Sequence, residues 1–289
     1  MSALNLFSTL YRRTARTLSG TGVSQVYPLN RVADFVFARL KDNVAVVDGR
    51  TMHLDAGDSL GLSVYGFFEP AETELAKRLV GAGDVVVDIG ANIGYFSLLF
   101  AECAGSSGKV YAFEPHPESH ALLQKNIAVN GITNIVSEAK AVGAKSGRIQ
   151  LYESETDNVD HATYAGDTRS RAIDVAQVSL DDYFRDQDID IRLIKMDVQG
   201  AEPTVLAGME KTLAKHPSIR IISEFWPYGM DRAGHCPATF LARLAEFGFM
   251  MHEIQDRGGV PECVEPAQLL ERYPVEGQRF ANLLCVKGA

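Results

Sequence analysis

Apolar and polar positions alternate in blocks along most of this chain. Val85, Val86 and Val87 form a short β-branched run without a polar break, as expected of a parallel strand covered on both faces by helices. Gly90-Ala91-Asn92-Ile93-Gly94 then turns the chain into Tyr95 to Ala101, an apolar segment that reads as the start of a helix. Lys109 to Phe113 is a second strand, His116 to Asn130 a helix closed by Gly131, and Ile135 to Val142 a third strand. Arg148 to Glu153 and Ala176 to Val178 are further short strands. The polar stretch Ser154 to Ser170 between them reads as a loop, whose Asp157, Asn158, Asp160 and His161 face either solvent or an acceptor. Ile191 to Met196 is strand, Ala201 to Lys215 helix, Ile219 to Ser223 strand and Ala238 to Phe247 helix. Phe249 to Ile254 and Phe280 to Lys287 are the last two strands.

Repeated strand and helix units with right-handed crossovers predict an α/β fold built on a doubly wound, mostly parallel sheet of seven strands. Two final strands without a long helix between them predict an antiparallel C-terminal edge hairpin. Residues 1–65 read as an N-terminal extension, with helices over Ala3 to Leu18 and Asn30 to Lys41 and a β hairpin of Val44 to Val47 and Thr51 to Leu54 about Asp48-Gly49. Residues 66–289 form the main domain, entered through Pro70 in the first turn of a helix that runs to Leu79.

Composition narrows the class. With 289 residues and 46% hydrophobic content the chain can bury a large core. A net charge of -9 excludes a general nucleic-acid binder, which needs a basic surface to displace counterions. Cys103, Cys236, Cys263 and Cys285 show no C-x-x-C spacing and fit reduced thiols in the core of a cytoplasmic protein. No apolar run is long enough to span a bilayer, and no signal-peptide pattern opens the chain. Arg12, Arg13 and Arg16 give the first helix a basic side, which suits packing on the domain or, as an alternative, contact with an anionic membrane surface.

The chemistry gathers where the strands end. Asp88, Glu114, Asp197 and Glu224 fall at the ends of four predicted strands, so four carboxylates line one rim of the sheet, where open α/β folds bind ligands. The glycine spacing of Gly90 and Gly94 is not that of a dinucleotide turn, and an acid two residues earlier opposes a pyrophosphate. Asp88 suits instead a cationic group such as the ammonium of S-adenosylmethionine, with Asn92 between the two glycines. Glu114 lies 20 residues beyond Gly94, a spacing suited to a carboxylate on both ribose hydroxyls, and Pro115 follows it. Ala141 and Val142 close the neighbouring strand, where backbone groups can read an adenine edge, while Glu69 precedes the Pro70 helix and complements its dipole. Lys195 and Asp197 share one strand face, and Asp197 is placed as a general base with Lys195 and Glu224 beside it. Asp197 and Glu224 are also suited to hold a divalent metal through oxygen, although only two such ligands are in view and no metal is expected. Glu202 reads as a helix-dipole partner, and Trp226, Tyr228, His235 and Cys236 as packing or a sugar-contact surface.

DIGANIGYFS at Asp88 to Ser97, FEP at Phe113 to Pro115, SLDDYF at Ser179 to Phe184 and IKMDVQGAE at Ile194 to Glu202 resemble, in this order, the FkbM family of methyltransferases. The resemblance spans roughly Gly66 to Trp226 and implies a Rossmann-like class I methyltransferase fold, S-adenosyl-L-methionine as cofactor, and O-methylation of a small-molecule or glycan acceptor. Glu69 stands in a segment that resembles the family's Y-x-E-P type, which implies a carboxylate over the methionine end of the cofactor as the alternative to a helix-dipole role, and Gln199 stands where the family's D-V-E-G pattern has glutamate. An NAD-linked oxidoreductase and a non-catalytic, cofactor-binding partner subunit are the competing readings.

Overall fold

The computed structural model describes residues 43–154, 161–165, 169–255 and 260–288. The helices expected over Ala3 to Leu18 and Asn30 to Lys41 lie outside the described residues, as do Asp157, Asn158 and Asp160.

The expected hairpin forms from β1 (Val44–Val47) and β2 (Arg50–His53), with Asp48 and Gly49 both at positive φ. Its free edge is covered by two amides of a later helix, α4 (Pro117–Val129), and its cap. Asn126 Oδ1 accepts from His53 N while its Nδ2 donates to His53 O and Ile93 O. Asn130 pairs in the same way with Thr51. These side chains satisfy a strand edge that would otherwise be open to a second chain.

A short helix α1 (Leu62–Tyr65) and the Pro70-initiated α2 (Pro70–Leu79) lead into β3 (Val85–Ile89). α3 (Tyr95–Ala104), β4 (Lys109–Phe113), α4 and β5 (Ile135–Glu138) follow. The main sheet then adds β9 (Ile191–Met196), β10 (Arg220–Phe225), β11 (Phe249–Ile254), β12 (Glu262–Cys263) and β13 (Ala281–Lys287), in the order β12-β11-β13-β10-β9-β3-β4-β5. The five strands from β5 to β10 are parallel, and β13 slots antiparallel between β10 and β11. The two-residue β12 makes an eighth strand beyond the seven expected. Successive valines of β3 serve opposite faces. Val86 packs with Val110, Leu193 and Ile222 under α2 and α3, and Val87 with Tyr111, Ile194 and Ile221 on the other face.

Four sequence expectations shift. The strand expected over Ile135 to Val142 breaks after Glu138, and β6 (Lys140–Val142) leaves the main sheet to join β8 (Arg169–Val178) and β7 (Gly147–Ser154) in a separate three-stranded sheet. α5 (Leu180–Tyr183) follows β8. The helix expected over Ala201 to Lys215 divides into α6 (Glu202–Ala207) and α7 (Glu210–Lys215). At the break a Cβ on Gly208 would lie 2.0 Å from Gly143 O, which requires glycine there, and Asp181 restarts the helix by accepting from the Lys211 and Thr212 N–H groups. β10 runs two residues past Ser223, so Glu224 sits inside the strand opposite Asn282. The C-terminal segment also holds more helix than expected: after α8 (Pro227–Arg232) and α9 (Pro237–Glu246), α10 (Pro266–Arg272) separates β11 from β13. Among the cysteines only Cys285 is a core residue, while Cys236 and Cys263 are exposed. No helix among the described residues is long and apolar enough to cross a membrane.

Candidate active site

The chain winds from β3 through β4 to β5 and then returns on the other side of β3 as β9, so the carboxyl ends of β3 and β9 flank a topological switch point. A cavity of about 460 Å³ opens there. Asp88, Glu114, Asp197 and Glu224 all line it, as do Glu69, Gly90, Asn92, Pro115, Ala141 and Val142.

The turn after β3 depends on its first glycine. Gly90 has φ +79°, and a Cβ there would sit 1.9 Å from Asp197 O. Glycine therefore lets the ends of β3 and β9 touch backbone to backbone. Gly90 N and Ala91 N both donate to Phe113 O, which ties the turn to β4. Gly94 differs in that it does not border the cavity. A Cβ there would meet Leu123 Cδ1 at 2.5 Å, so this glycine serves the packing of α3 on α4.

Glu114 closes the same turn. Its Oε2 accepts from Asn92 N and its Oε1 from His116 N, both at 2.8 Å. The fold thus gains from this acid, a benefit that its position before Pro115 does not suggest, and each oxygen keeps a further lone pair for a ligand. Burial pushes its pKa up to about 7, against the pull of the two N–H groups.

Lys195 is the cationic hub. Its Nζ lies 3.3 Å from Asp197 Oδ2, 3.8 Å from Glu72 Oε1 and 4.6 Å from the centre of the Phe96 ring. Burial disfavours its charge, but Asp197, Glu72, Asp88 and Glu69 together outweigh that and hold its pKa above the usual lysine value. Asp88 is buried beneath this group. Its Oδ2 accepts from Ser97 Oγ at 2.5 Å, its Oδ1 has no hydrogen-bond partner, and burial raises its pKa despite the nearby Lys195. Asp197 is the accessible acid, with 28% of its side chain exposed and Oδ1 accepting from Gln199 Nε2 at 3.1 Å. Gln199, at φ +55°, is therefore a donor to Asp197.

Four further acids complete the cluster. Glu69 and Glu72 face each other at the start of α2, and burial raises both pKa values, with each also responding to the other. Glu72 is absent from the residues expected here, because an acid in the first turn of a helix reads as a dipole partner. Glu202 is fully buried and its Oε1 caps Val198 N, while burial lifts its pKa to about 8. Glu224 pKa is raised well above the carboxylate range by burial and then by Asp197, Glu202 and Glu69.

The cavity has two unlike ends. One is apolar, walled by Pro115, Ala141, Val142 and Leu151, with the His161 ring tilted by 32° against that of His116 and the ring centres 3.9 Å apart. The other carries Glu69, Asp88, Asp197 and Glu224 together with Phe68, Trp226, Gln278 and Phe280. Of the aromatic group expected near an acceptor, Trp226 lines the cavity, whereas Tyr228, His235 and Cys236 do not; His235 Nε2 is engaged with Thr204 Oγ1.

Known proteins share parts of this sequence and fold. The family described as Methyltransferase FkbM domain matches residues 88–260. The 31-O-demethyl-FK506 methyltransferase FkbM of Streptomyces tacrolimicus is 31% identical over 168 residues, 48% of this chain and 63% of that protein, so the match spans less than two thirds of that relative. A tRNA wybutosine-synthesizing protein 2 homolog of Rattus norvegicus is 34% identical over 90 residues, 30% of this chain and 20% of that protein. Among solved structures, M. jannaschii TYW2 in complex with AdoMet aligns with TM-score 0.43 and 14% identity over 85% of this chain and 86% of that one. A SAM-dependent O-methyltransferase from Thermotoga maritima aligns with TM-score 0.43 and 14% identity over 77% and 66%.

Proposed function

Because this chain belongs to the FkbM family of methyltransferases, we propose that it methylates a hydroxyl oxygen of a sugar, glycan or small natural product, with Asp197 as the general base. S-adenosyl-L-methionine is the family's cofactor. It supplies, when bound, an electrophilic methyl group on a sulfonium. The residues present fit it. Asp88 offers an unpartnered buried oxygen to an ammonium, Glu114 offers two lone-pair sites to ribose hydroxyls, and Ala141 and Val142 border an apolar slot for adenine.

The reading is supported above all by Asp197. Its carboxylate is part-exposed on the cavity wall, held from one side by Lys195 and from the other by Gln199. Asp197 would take the acceptor's hydroxyl proton onto its carboxylate while the bound cofactor supplied the methyl group. Lys195 counters the charge on Asp197, and is itself fixed by Glu72 and the Phe96 ring. The remaining contribution is orientation of the acceptor oxygen in line with the methyl.

An NAD-linked reaction is opposed by the buried Asp88 under the glycine turn, which disfavours a pyrophosphate. A tRNA substrate, suggested by the name of the rat relative, is opposed by the net charge of -9. The test is transfer of a tritiated methyl group to extracted glycans and hydroxylated metabolites. Wild type should label a product, and Asp197→Ala should lose about 10²- to 10⁴-fold in rate while still binding S-adenosylhomocysteine. Full activity in that variant would remove Asp197 from the base role.

A further inference from the structure

We propose that the acceptor carries a protonated amine and that Glu224, beside Trp226 at the acid end of the cavity, receives it. This inference rests on the methyltransferase reading and names the class of acceptor within it.

Glu224 is the acid in this wall that the protein leaves without a partner. Its Oε2 is buried, and no donor among the described residues reaches it. The other cavity acids have theirs: Glu114 holds two backbone N–H groups, Asp88 a serine hydroxyl, Asp197 a lysine and a glutamine. Glu69 accepts from Asn282. A buried carboxyl without a hydrogen-bond partner is costly, and an ammonium placed on it would hold it ionised. A fold tolerates this where a ligand completes the site.

Charge points to the sign of that ligand. Five carboxylates line the cavity against two lysines. Lys195 is engaged by Asp197 and Glu72, and Lys140 Nζ lies 2.7 Å from Glu138 Oε2. Neither is available to Glu224. The cofactor's own ammonium is assigned to Asp88, and Glu224 is left among Asp197, Glu202 and Glu69, the acids whose charges act on it most. A metal ion is a poor answer, because no group of three or more His, Cys, Asp or Glu among the described residues is arranged to hold one. An organic ammonium fits better. Trp226 lines the same wall, and indole rings attract cations. The methylated hydroxyl, next to Asp197, then lies within one small molecule of the amine on Glu224. A hydroxylated amine such as an amino sugar has that arrangement.

The test uses matched pairs that differ only in charge: D-glucosamine with N-acetyl-D-glucosamine, D-galactosamine with N-acetyl-D-galactosamine, and ethanolamine with N-acetylethanolamine. Each is titrated calorimetrically at about pH 7 into full-length protein saturated with S-adenosylhomocysteine. The ammonium member of at least one pair is expected to bind about tenfold or more tighter than its neutral partner, and Glu224→Gln, of nearly the same shape, is expected to reduce that preference to about twofold or less. Neutral members binding as well as or better than the amines in every pair would overturn the proposal, and would be the result if Glu224 instead donates a hydrogen bond as a neutral acid. A preference for the amine that survives unchanged in Glu224→Gln would overturn it as well. Failure of S-adenosylhomocysteine itself to bind counts against the cofactor reading instead, and the same pairs titrated into the free protein still decide the role of Glu224.

Discussion

Lowering the pH from 8 to 6 should loosen the cofactor's hold by about tenfold, through Glu114 alone. The carboxyl titrates at about 7 because burial raises it against the pull of Asn92 N and His116 N. If ribose hydroxyls bind only the ionised form, apparent Kd scales with one plus the ratio of protonated to ionised enzyme. That factor is about 1.1 at pH 8 and about 11 at pH 6, a difference of about 1.4 kcal/mol. Folding carries the opposite sign. Between the ordinary glutamate value of 4.5 and about 7 the folded chain retains a proton that the unfolded chain releases, so stability falls as pH rises, by about 3 kcal/mol from this group. Cofactor affinity therefore increases over the range where the empty protein loses stability, and bound ligand should raise the melting temperature most near pH 8. Calorimetric titration of S-adenosylhomocysteine at pH 6, 7 and 8 reads the first effect, and thermal melts with and without ligand read the second. Glu114→Gln should abolish the pH dependence, at the cost of about 1–3 kcal/mol because its amide opposes one of the two backbone donors. A wild-type Kd that stays flat from pH 6 to 8 would refute the assignment of Glu114 to the ribose.

Two other substitutions probe the frame of the site. Gly90→Ala places a methyl group against Asp197 O in a left-handed backbone, and should cost more than about 3 kcal/mol in chemical denaturation and abolish S-adenosylhomocysteine binding; Gly131→Ala, also left-handed but facing open space, should cost only about 1–2 kcal/mol. Equal losses for the two would show that the close approach of β3 and β9 is unimportant. Lys195→Met removes the cation shared by Asp197, Glu72, Asp88 and Glu69, and should destabilise by about 3–5 kcal/mol. Those acids then keep their protons to higher pH, so the melting temperature should drop more at pH 8 than at pH 6; a pH-independent drop would point to lost packing on Phe96 instead.

Much of this architecture is legible in the residues. The β-branched run of β3, the Asp48-Gly49 turn and the Pro-initiated helices are local signals, and local signals place elements well. The misplacements arise from distant contacts. Nothing around Gly208 says that Gly143 will lie against it, and nothing in the apolar run from Ile135 to Val142 says that β6 will pair with β8 rather than extend the main sheet. The acids of the rim can be placed by their positions at strand ends, yet their individual environments cannot. Glu114 is tied to two backbone N–H groups and Glu224 to none, and that difference depends on side-chain geometry across β3, β4 and β10. Glu72 is hidden for the same reason, since its partner Lys195 is more than a hundred residues away in sequence.

The position of the cofactor along the cavity governs every role assigned to these acids, and a crystal structure with S-adenosylhomocysteine measures it directly. The predicted result has both ribose hydroxyls within hydrogen-bonding distance of Glu114, the adenine beside Ala141 and Val142, and the ammonium directed to the Asp88 end. Adenosine bound elsewhere, or ribose hydroxyls out of reach of Glu114, would contradict it.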